Sequence, residues 1–593
     1  MVEQGLKECD LVMKGGITSG VIYPGAIDTL SRHYRFRSIG GASAGAIAAA
    51  TAAAAEYARQ TKGSRDGFDK LAELPKRLGE VRPSGRTRLA SLFQPTVATA
   101  TAFDGVLIAM SNRDGFGKAT ALLQLITRGC MLPVLVAIAL AAGVFCVGCS
   151  AGGIGVAFGL VGAIAVLVLG FVGAVACIGL RTYRSVTSNF GGLCRGYGAT
   201  HVGDDPPLIT WLTETIHEVA GVKTPLTFGQ LQGKGIDLVM MTTNLTHGRP
   251  HRVPFKTELL FFREDEMATL FPPEIVDALV QGGRSALDRP NTSGEERNRW
   301  SLKQIAAANP GFIPLPDHDD LPVAFAVRLS LSFPVLLSAV PLYTVDFSLP
   351  VKERALQRCW FSDGGICSNL PVHFFDQLLP KRPTFALNLR PAAEELPESK
   401  LVFLANNNID GVAEQWNHIT GDGLPIASLI GTMIETMQCW NDNVMLHAPG
   451  FRDRVVHISH TTKEGGLNLE MPGEMIEGLS KRGALAGQKI IDRFVNKPDG
   501  WDNHLWVRYR TTLGVLQPLL SQTYKEYFST AADRAPIDRL IASPTGYKMS
   551  GKERDAAMAV NDVIAKFGTI SRESFEVKAP RPRLVLRPRP RDS

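Results

Sequence analysis

Fifty consecutive residues of this 593-residue chain, Met131 to Leu180, contain no Asp, Glu, Lys or Arg. That absence excludes an ordinary water-facing surface for the segment. A bilayer core takes about 20 apolar residues per helical span, so the length predicts two spans and a tight turn. Cys149-Ser150-Ala151-Gly152-Gly153 is the most polar and Gly-rich point, which puts the spans near Leu132–Gly148 and Ile154–Leu180. Gly and Ala recur through both and let two helices approach closely. Arg113, Lys118 and Arg128 precede the segment; Arg181, Arg184 and Arg195 follow it. Both outer ends are therefore expected on the cytoplasmic side. A buried helical pair in a soluble core is the alternative.

Cysteine is scarce and odd in number, nine in all. The expected use is as small apolar side chains in a reducing compartment. Cys146 and Cys149, separated by Val147 and Gly148, fall inside the apolar segment, where metal or redox use is the lesser reading. No HExxH run and no Cys/His cluster occurs, so neither metal nor cofactor is implied. The N-terminus lacks a cationic stretch leading into an apolar one, and no secretory leader is expected. A net positive charge is missing from the body. Net charge is +6, but Lys578, Arg581, Arg583, Arg587, Arg589 and Arg591 against Asp592 supply five of the six. A near-neutral body argues against a nucleic-acid partner.

What is present begins at Cys9–Met13, an apolar run ended by Lys14-Gly15-Gly16, which reads as a buried strand entering a turn. Gly20–Ser31 reads as a helix and Phe36–Ile39 as a second strand. Gly41-Ala42-Ser43-Ala44-Gly45 follows, then an alanine-dominated run to Arg59 that predicts a helix. This is G-x-S-x-G between a strand and a helix. Small neighbours let the backbone bend so that the serine hydroxyl projects, and the helix N-terminus favours nearby negative charge. Ser43 is the expected nucleophile; helix packing by small residues is the bland alternative. The turn at Gly15, Gly16 and Ile17 can aim backbone N–H groups at an oxyanion.

The serine needs a base. Only 42 residues precede Ser43, enough for two strands, which does not suit the α/β-hydrolase layout. None of the twelve histidines sits in a motif that marks it as the base. His373 and His457 read as ordinary polar or core residues. Asp363 is the better candidate: an apolar strand, Cys359-Trp360-Phe361-Ser362, delivers it to the double-glycine turn Gly364-Gly365. The alternative is an Asp-Gly turn without chemistry.

A Gly-rich loop after strand one, G-x-S-x-G after strand two and a later D-G-G together resemble the patatin-like phospholipases. The resemblance runs from about Cys9 to Asp376 and more loosely to Phe494. It includes Leu238–Asn244, Arg328-Leu329-Ser330-Leu331-Ser332-Phe333-Pro334 and Asn369-Leu370-Pro371. It implies lipid acyl hydrolysis by a Ser–Asp dyad without a catalytic histidine, with Ser43 as nucleophile, Asp363 as base and Gly15-Gly16 in the oxyanion loop. One departure stands out. The family loop is usually G-G-G-x-[KR]-G, whereas here Ile17 stands at the third glycine and Ser19 at the basic position.

The expected fold is α/β, a patatin-like three-layer sandwich with a central, mostly parallel sheet plus an inserted transmembrane hairpin. Residues 1–60 and 234–390 form the core, with Phe385–Leu389 a late strand. Residues 61–233 form an insertion with the hairpin at about 131–180. Residues 391–578 form a mixed, largely helical extension, and 579–593 a disordered Pro/Arg tail. Gly282–Arg299 reads as a loop. The implied function is a membrane-anchored serine lipid acyl hydrolase of phospholipase A or lysophospholipase type, acting on a membrane phospholipid or other acyl ester. A catalytically degenerate membrane effector and an acyltransferase using the same dyad are the alternatives.

Overall fold

The computed structural model describes residues 5–568 except 17–18, 111–114, 199–204, 257–258, 289–295, 393–396, most of 407–449, 462–463, 466–467 and 544–548. Ile17 and the Pro/Arg tail lie outside the described residues.

Thirteen strands are described: β1 (Lys7–Met13), β2 (Tyr34–Ala42), β3 (Gly192–Cys194), β4 (Asp237–Asn244), β5 (Arg249–Val253), β6 (Phe261–Phe262), β7 (Ile313–Pro314), β8 (Val335–Leu337), β9 (Val340–Val345), β10 (Leu356–Asp363), β11 (Thr384–Pro391), β12 (Val402–Phe403) and β13 (Val455–His460). Eleven make one sheet in the order β12-β13-β11-β1-β2-β4-β10-β9-β6-β7, with β5 also on β4; β3 and β8 form a separate pair.

The expectation of a mostly parallel sheet is corrected: the sheet is mixed. Its five inner strands, β13, β11, β1, β2 and β4, run parallel, as expected of runs buried on both faces. All other pairings in the sheet are antiparallel. Connection length decides two of these pairings. A parallel crossover needs a dozen or more residues, and the links from β4 to β5 and from β9 to β10 are shorter.

Alternation along β1 assigns the faces. Leu11 and Met13 join the main core, which takes in α1 (Tyr23–Ser31), the alanine-rich α2 (Ala44–Lys62) and α3 (Asp66–Gly79). Val12 points the other way, into a smaller cluster with Ala386, Val455, Leu370, Phe375 and Phe451. Segments after the double-glycine turn thus cover the second face.

The apolar stretch forms two helices, α4 (Met131–Ser150) and α5 (Ile154–Ser188), reversed at Gly152 (φ 63°) and Gly153 (φ 47°). They touch where side chains are smallest: a Cβ on Gly148 would stand 2.5 Å from the Gly159 Cα. Only 11% and 6% of their most apolar windows is buried. A soluble-core pair would be covered, so that alternative does not hold. Both are long and apolar enough to cross a membrane. The second runs eight residues past the expected end, through Arg181 and Arg184.

Gly282–Arg299 is not simply a loop. Helices Pro273–Asp288 and Glu296–Ala308 take in both ends. Ile275, Val276, Leu279, Val280 and Gly283 give the first a buried helical stripe. Gly283 is there for clearance, since a Cβ would fall 2.1 Å from the Pro314 carbonyl oxygen.

Candidate active site

β4 acts as a ruler. β2 pairs with it as far as Ala42 opposite Met241. β10 arrives from the opposite direction and ends with Asp363 opposite Thr242. β5 occupies the other edge of β4 through Met240–Asn244. β10 must therefore lie on the edge that β2 vacates. Ser43, the residue after Ala42, and Asp363 are consequently brought together at successive positions of one strand edge.

The turn at Ser43 is tight. Ser43 has φ 55°, a region that L side chains avoid, and caps α2. The positions two residues to either side must be glycine. A Cβ on Gly41 would stand 2.3 Å from the Gly45 carbonyl oxygen, and one on Gly45 2.3 Å from that of Met13. The Ser43 N–H donates to Ser330 Oγ at 3.1 Å. Gly15 packs directly on the serine: a Cβ there would lie 2.7 Å from Ser43 Cβ.

Asp363 is held by backbone. Its N–H donates to the Ser332 carbonyl at 3.0 Å, and its Oδ2 accepts the Gly365 N–H at 2.9 Å. Gly364 passes so close to β4 that a Cβ would fall 2.1 Å from the Met241 carbonyl oxygen. Asp363 Oδ1 is buried and has no hydrogen-bond partner among the described residues. Burial pushes the carboxyl pKa up to about 7, against the opposing pull of the Ser43 hydroxyl and the Gly365 N–H. The hydroxyl is thus near enough to act on the carboxylate without completing a hydrogen bond to it. Ser43 and Asp363 are 4% and 2% exposed, so the pair is shielded from water. His373 and His457 are not partners of either residue; His457 Nδ1 lies 2.9 Å from Asn388 Nδ2.

In the glycine loop, the Gly15 N–H donates to the Asn369 carbonyl at 2.9 Å, which commits it. The Gly16 N–H has no partner among the described residues. Lys14 Nζ donates to the Leu389 carbonyl at 2.9 Å, so its amine is tied to β11.

Three supports escaped the sequence reading as functional positions. The first is Asn369, whose carbonyl holds Gly15 and whose Oδ1 abuts both Gly15 and Gly365. The second is Asp442. Its buried carboxylate accepts from Ser368 Oγ (2.7 Å), the Asn369 N–H (2.7 Å) and the Leu370 N–H (2.9 Å). The third is α6 (Val323–Ser330) with the two residues after it. Ser330 and Ser332 there touch the backbone of Ser43 and of Asp363. Arg328, fully buried, braces this end by donating to Ser332 Oγ (2.5 Å), the Arg195 carbonyl (3.0 Å) and the Ser338 carbonyl (2.7 Å). The familial run Arg328–Pro334 and Asn369-Leu370-Pro371 carried a signal for two of these; nothing marked Asp442, some 80 positions after the aspartate it serves. Among the described residues no group of His, Cys, Asp and Glu could hold a metal ion.

Residues 11–124 match the family model described as patatin-like phospholipase, a stretch that contains Ser43 and the glycine loop. A protein of Rhizobium meliloti (strain 1021) named "RpoH suppressor" is 33% identical over 583 residues, 87% of each chain. The crystal structure of VipD from Legionella pneumophila aligns over 96% of this chain and 89% of its own at 13% identity, with a TM-score of 0.25, a likeness too slight to bear on fold or function. With the family-model match and the Rhizobium relative joined to the glycine loop, the serine turn and the Asp-Gly-Gly turn, the chain belongs to the patatin-like phospholipase family.

Proposed function

We propose that this protein is a membrane-anchored serine lipid acyl hydrolase working through Ser43 and Asp363. One observation carries the reading: β2 and β10 end head to head on a single edge of β4, with a serine at one end and a buried, unsatisfied carboxylate oxygen at the other. Asp363 takes the Ser43 proton as the serine oxygen attacks the ester carbonyl. The N–H of Gly16, joined by that of Ile17, stabilises the oxyanion, while Gly15 shapes the loop; one good donor is worth roughly 3–4 kcal/mol. Collapse expels the alcohol, which takes the proton from Asp363. Water then cleaves the acyl-serine with Asp363 again as base, releasing a fatty acid.

α4 and α5 hold the core against its substrate. The residues before and after them build one sheet, so the number of crossings is even and both ends share a side, the cytoplasmic one by their Arg and Lys flanks. In this reading 1–60 and 234–390 are the catalytic core and 61–233 the insertion.

Ser43→Ala and Asp363→Asn are each expected to lower fatty-acid release from phospholipid by at least about a thousandfold, and Ser43→Ala to abolish labelling by a fluorophosphonate. Undiminished release by Ser43→Ala refutes the reading. A wild-type serine that ignores the probe supports a degenerate effector instead, which the committed Gly15 N–H and the altered loop favour.

A further inference from the structure

Asn369 is fixed by its backbone and free at its side chain. Its N–H donates to Asp442 Oδ2 at 2.7 Å, and its carbonyl accepts the Gly15 N–H at 2.9 Å. With both backbone groups committed, the direction in which the side chain leaves the turn is set. Neither Oδ1 nor Nδ2 has a hydrogen-bond partner among the described residues. The residue is partly exposed, whereas Ser43 and Asp363 are almost wholly covered. A side-chain amide carries donors on one arm and an acceptor on the other, so an idle one beside a nucleophile is a binding group without a ligand.

Two glycines define where the amide ends. A Cβ on Gly15 would stand 2.2 Å from Asn369 Oδ1, 2.7 Å from Ser43 Cβ and 2.9 Å from the Ala42 carbonyl oxygen. A Cβ on Gly365 would stand 2.8 Å from the same Oδ1 and 2.7 Å from Asp363 Oδ2. The tip of the amide and the serine side chain therefore border one niche, the space that a single methyl on Gly15 would fill. The Ala42 carbonyl and the Asp363 carboxylate, which share these two spaces, are acceptors. Acceptors repel an amide oxygen and favour an NH2, and half a turn about χ2 puts Nδ2 where Oδ1 stands. The Ser43 hydroxyl and the Gly365 N–H are the groups that draw the Asp363 pKa down, so the amide is not committed to that carboxylate. The glycine loop, meanwhile, is short of donors. Its Gly15 N–H is taken, which leaves that of Gly16 among the described residues.

We infer that the Asn369 side-chain amide is a third catalytic group, donating through Nδ2 to the ester carbonyl oxygen beside the Gly16 N–H. The serine oxygen bonds the carbonyl carbon, the π pair moves onto the carbonyl oxygen, and the serine proton goes to Asp363. No bond to nitrogen forms or breaks; the amide holds the new oxyanion by hydrogen bonding alone. Asn369 thus serves twice, with its carbonyl shaping the loop and its amide completing the hole. The inference rests on hydrolysis by Ser43.

Full-length wild type, Asn369→Ala and Asn369→Asp are compared in detergent micelles of dioleoyl phosphatidylglycerol and phosphatidylethanolamine. Fatty-acid release is followed across pH, and inhibition is measured with a long-chain alkyl trifluoromethyl ketone, whose serine adduct carries the same oxyanion. Asn369→Ala should lower kcat by about 100-fold or more and leave KM within about threefold. The inhibition constant of the ketone should rise in proportion to the loss in kcat/KM, and the pH inflection should stay where the wild type has it. Asn369→Asp keeps the shape, loses the donor and should fall at least as far; it also serves if Asn369→Ala misfolds by circular dichroism. A kcat for Asn369→Ala within about threefold of wild type overturns the inference. So does a lost kcat with ketone affinity intact, a displaced pH inflection in Asn369→Ala, or an Asn369→Asp protein that keeps the wild-type rate. A wild type that neither releases fatty acid nor binds the ketone fails the hydrolase reading and the inference with it; a working wild type beside an equally active Asn369→Ala fails the inference alone.

Discussion

Asp363 sets chemistry against stability at a single carboxyl. An unfolded-chain aspartate titrates near pH 3.9, whereas burial lifts the folded value to about 7. The fold therefore prefers the protonated form. The stability this confers is complete below about pH 4 and is lost as pH rises through about 7. Asp363→Asn, isosteric and uncharged, escapes that loss. Its thermal midpoint should exceed that of the wild type at pH 8 by an amount worth on the order of 1–3 kcal/mol, with the gap closing towards pH 4. A gap that does not change with pH would show that the carboxyl is not strained by burial. Hydrolysis runs the other way: it needs the ionised base, so wild-type kcat/KM should climb with pH through about 7. At this scale the sequence was readable where the chain must do something unusual. Ser43 and Asp363 stand in glycine-rich turns because a Cβ at Gly41, Gly45 or Gly364 would strike backbone, and that leaves a mark. Asn369, Ser330 and Asp442 brace the site through a backbone carbonyl, one hydroxyl and a single distant carboxylate, which leave almost none.

At the scale of elements, the turn after Asp363 is the joint. Asp442 grips Ser368, Asn369 and Leu370, and Asn369 in turn takes the Gly15 N–H. Asp442→Ala frees three backbone and hydroxyl donors at once. The expected outcome is a kcat lowered up to about 100-fold by misplacement of the glycine loop, with KM little changed, measured by steady-state hydrolysis. A fall in KM-dependent binding with kcat intact would mean the turn serves substrate entry instead. Strands and helices were legible where period and burial agree, as in β1, β2, α2 and β11. The antiparallel outer strands were not, because β6 and β7 are two residues each, too short to carry a period, and β9 and β10 are buried in blocks that do not reveal which neighbour they will meet. Gly282-Gly283 reads as a helix break in sequence, yet Gly283 answers to the Pro314 backbone packed against it.

For the whole molecule, the paired apolar helices are separable from the sheet. Cys130 Sγ lies 3.6 Å from the Ala174 carbonyl, so the hairpin is narrow at its base. Replacing residues 133–173 with a short Gly/Ser linker should move the protein from the membrane fraction to the soluble one while Ser43 still reacts with a fluorophosphonate. Retention in the membrane fraction would assign anchoring to another surface. The location of the hairpin was the most legible feature of the chain, because fifty uncharged residues admit few uses. Its far end was not legible, since Arg181 and Arg184 look like a boundary although the helix continues. That continuation has a consequence. Only three residues separate Ser188 from β3, and β3 is laced to β8, which follows directly on the segment touching Ser43 and Asp363. Phe190 and Val335 in this junction adopt φ 53° and 69°, so little slack remains there. The apolar part of α5, Ile154–Leu180, is about 40 Å long, beyond a hydrocarbon layer of ~30 Å, and in the membrane-anchored reading such a helix leans to fit. In that reading the short junction between mast and hull passes the lean on, and the thickness of the host bilayer trims the angle at which the serine meets the lipid layer.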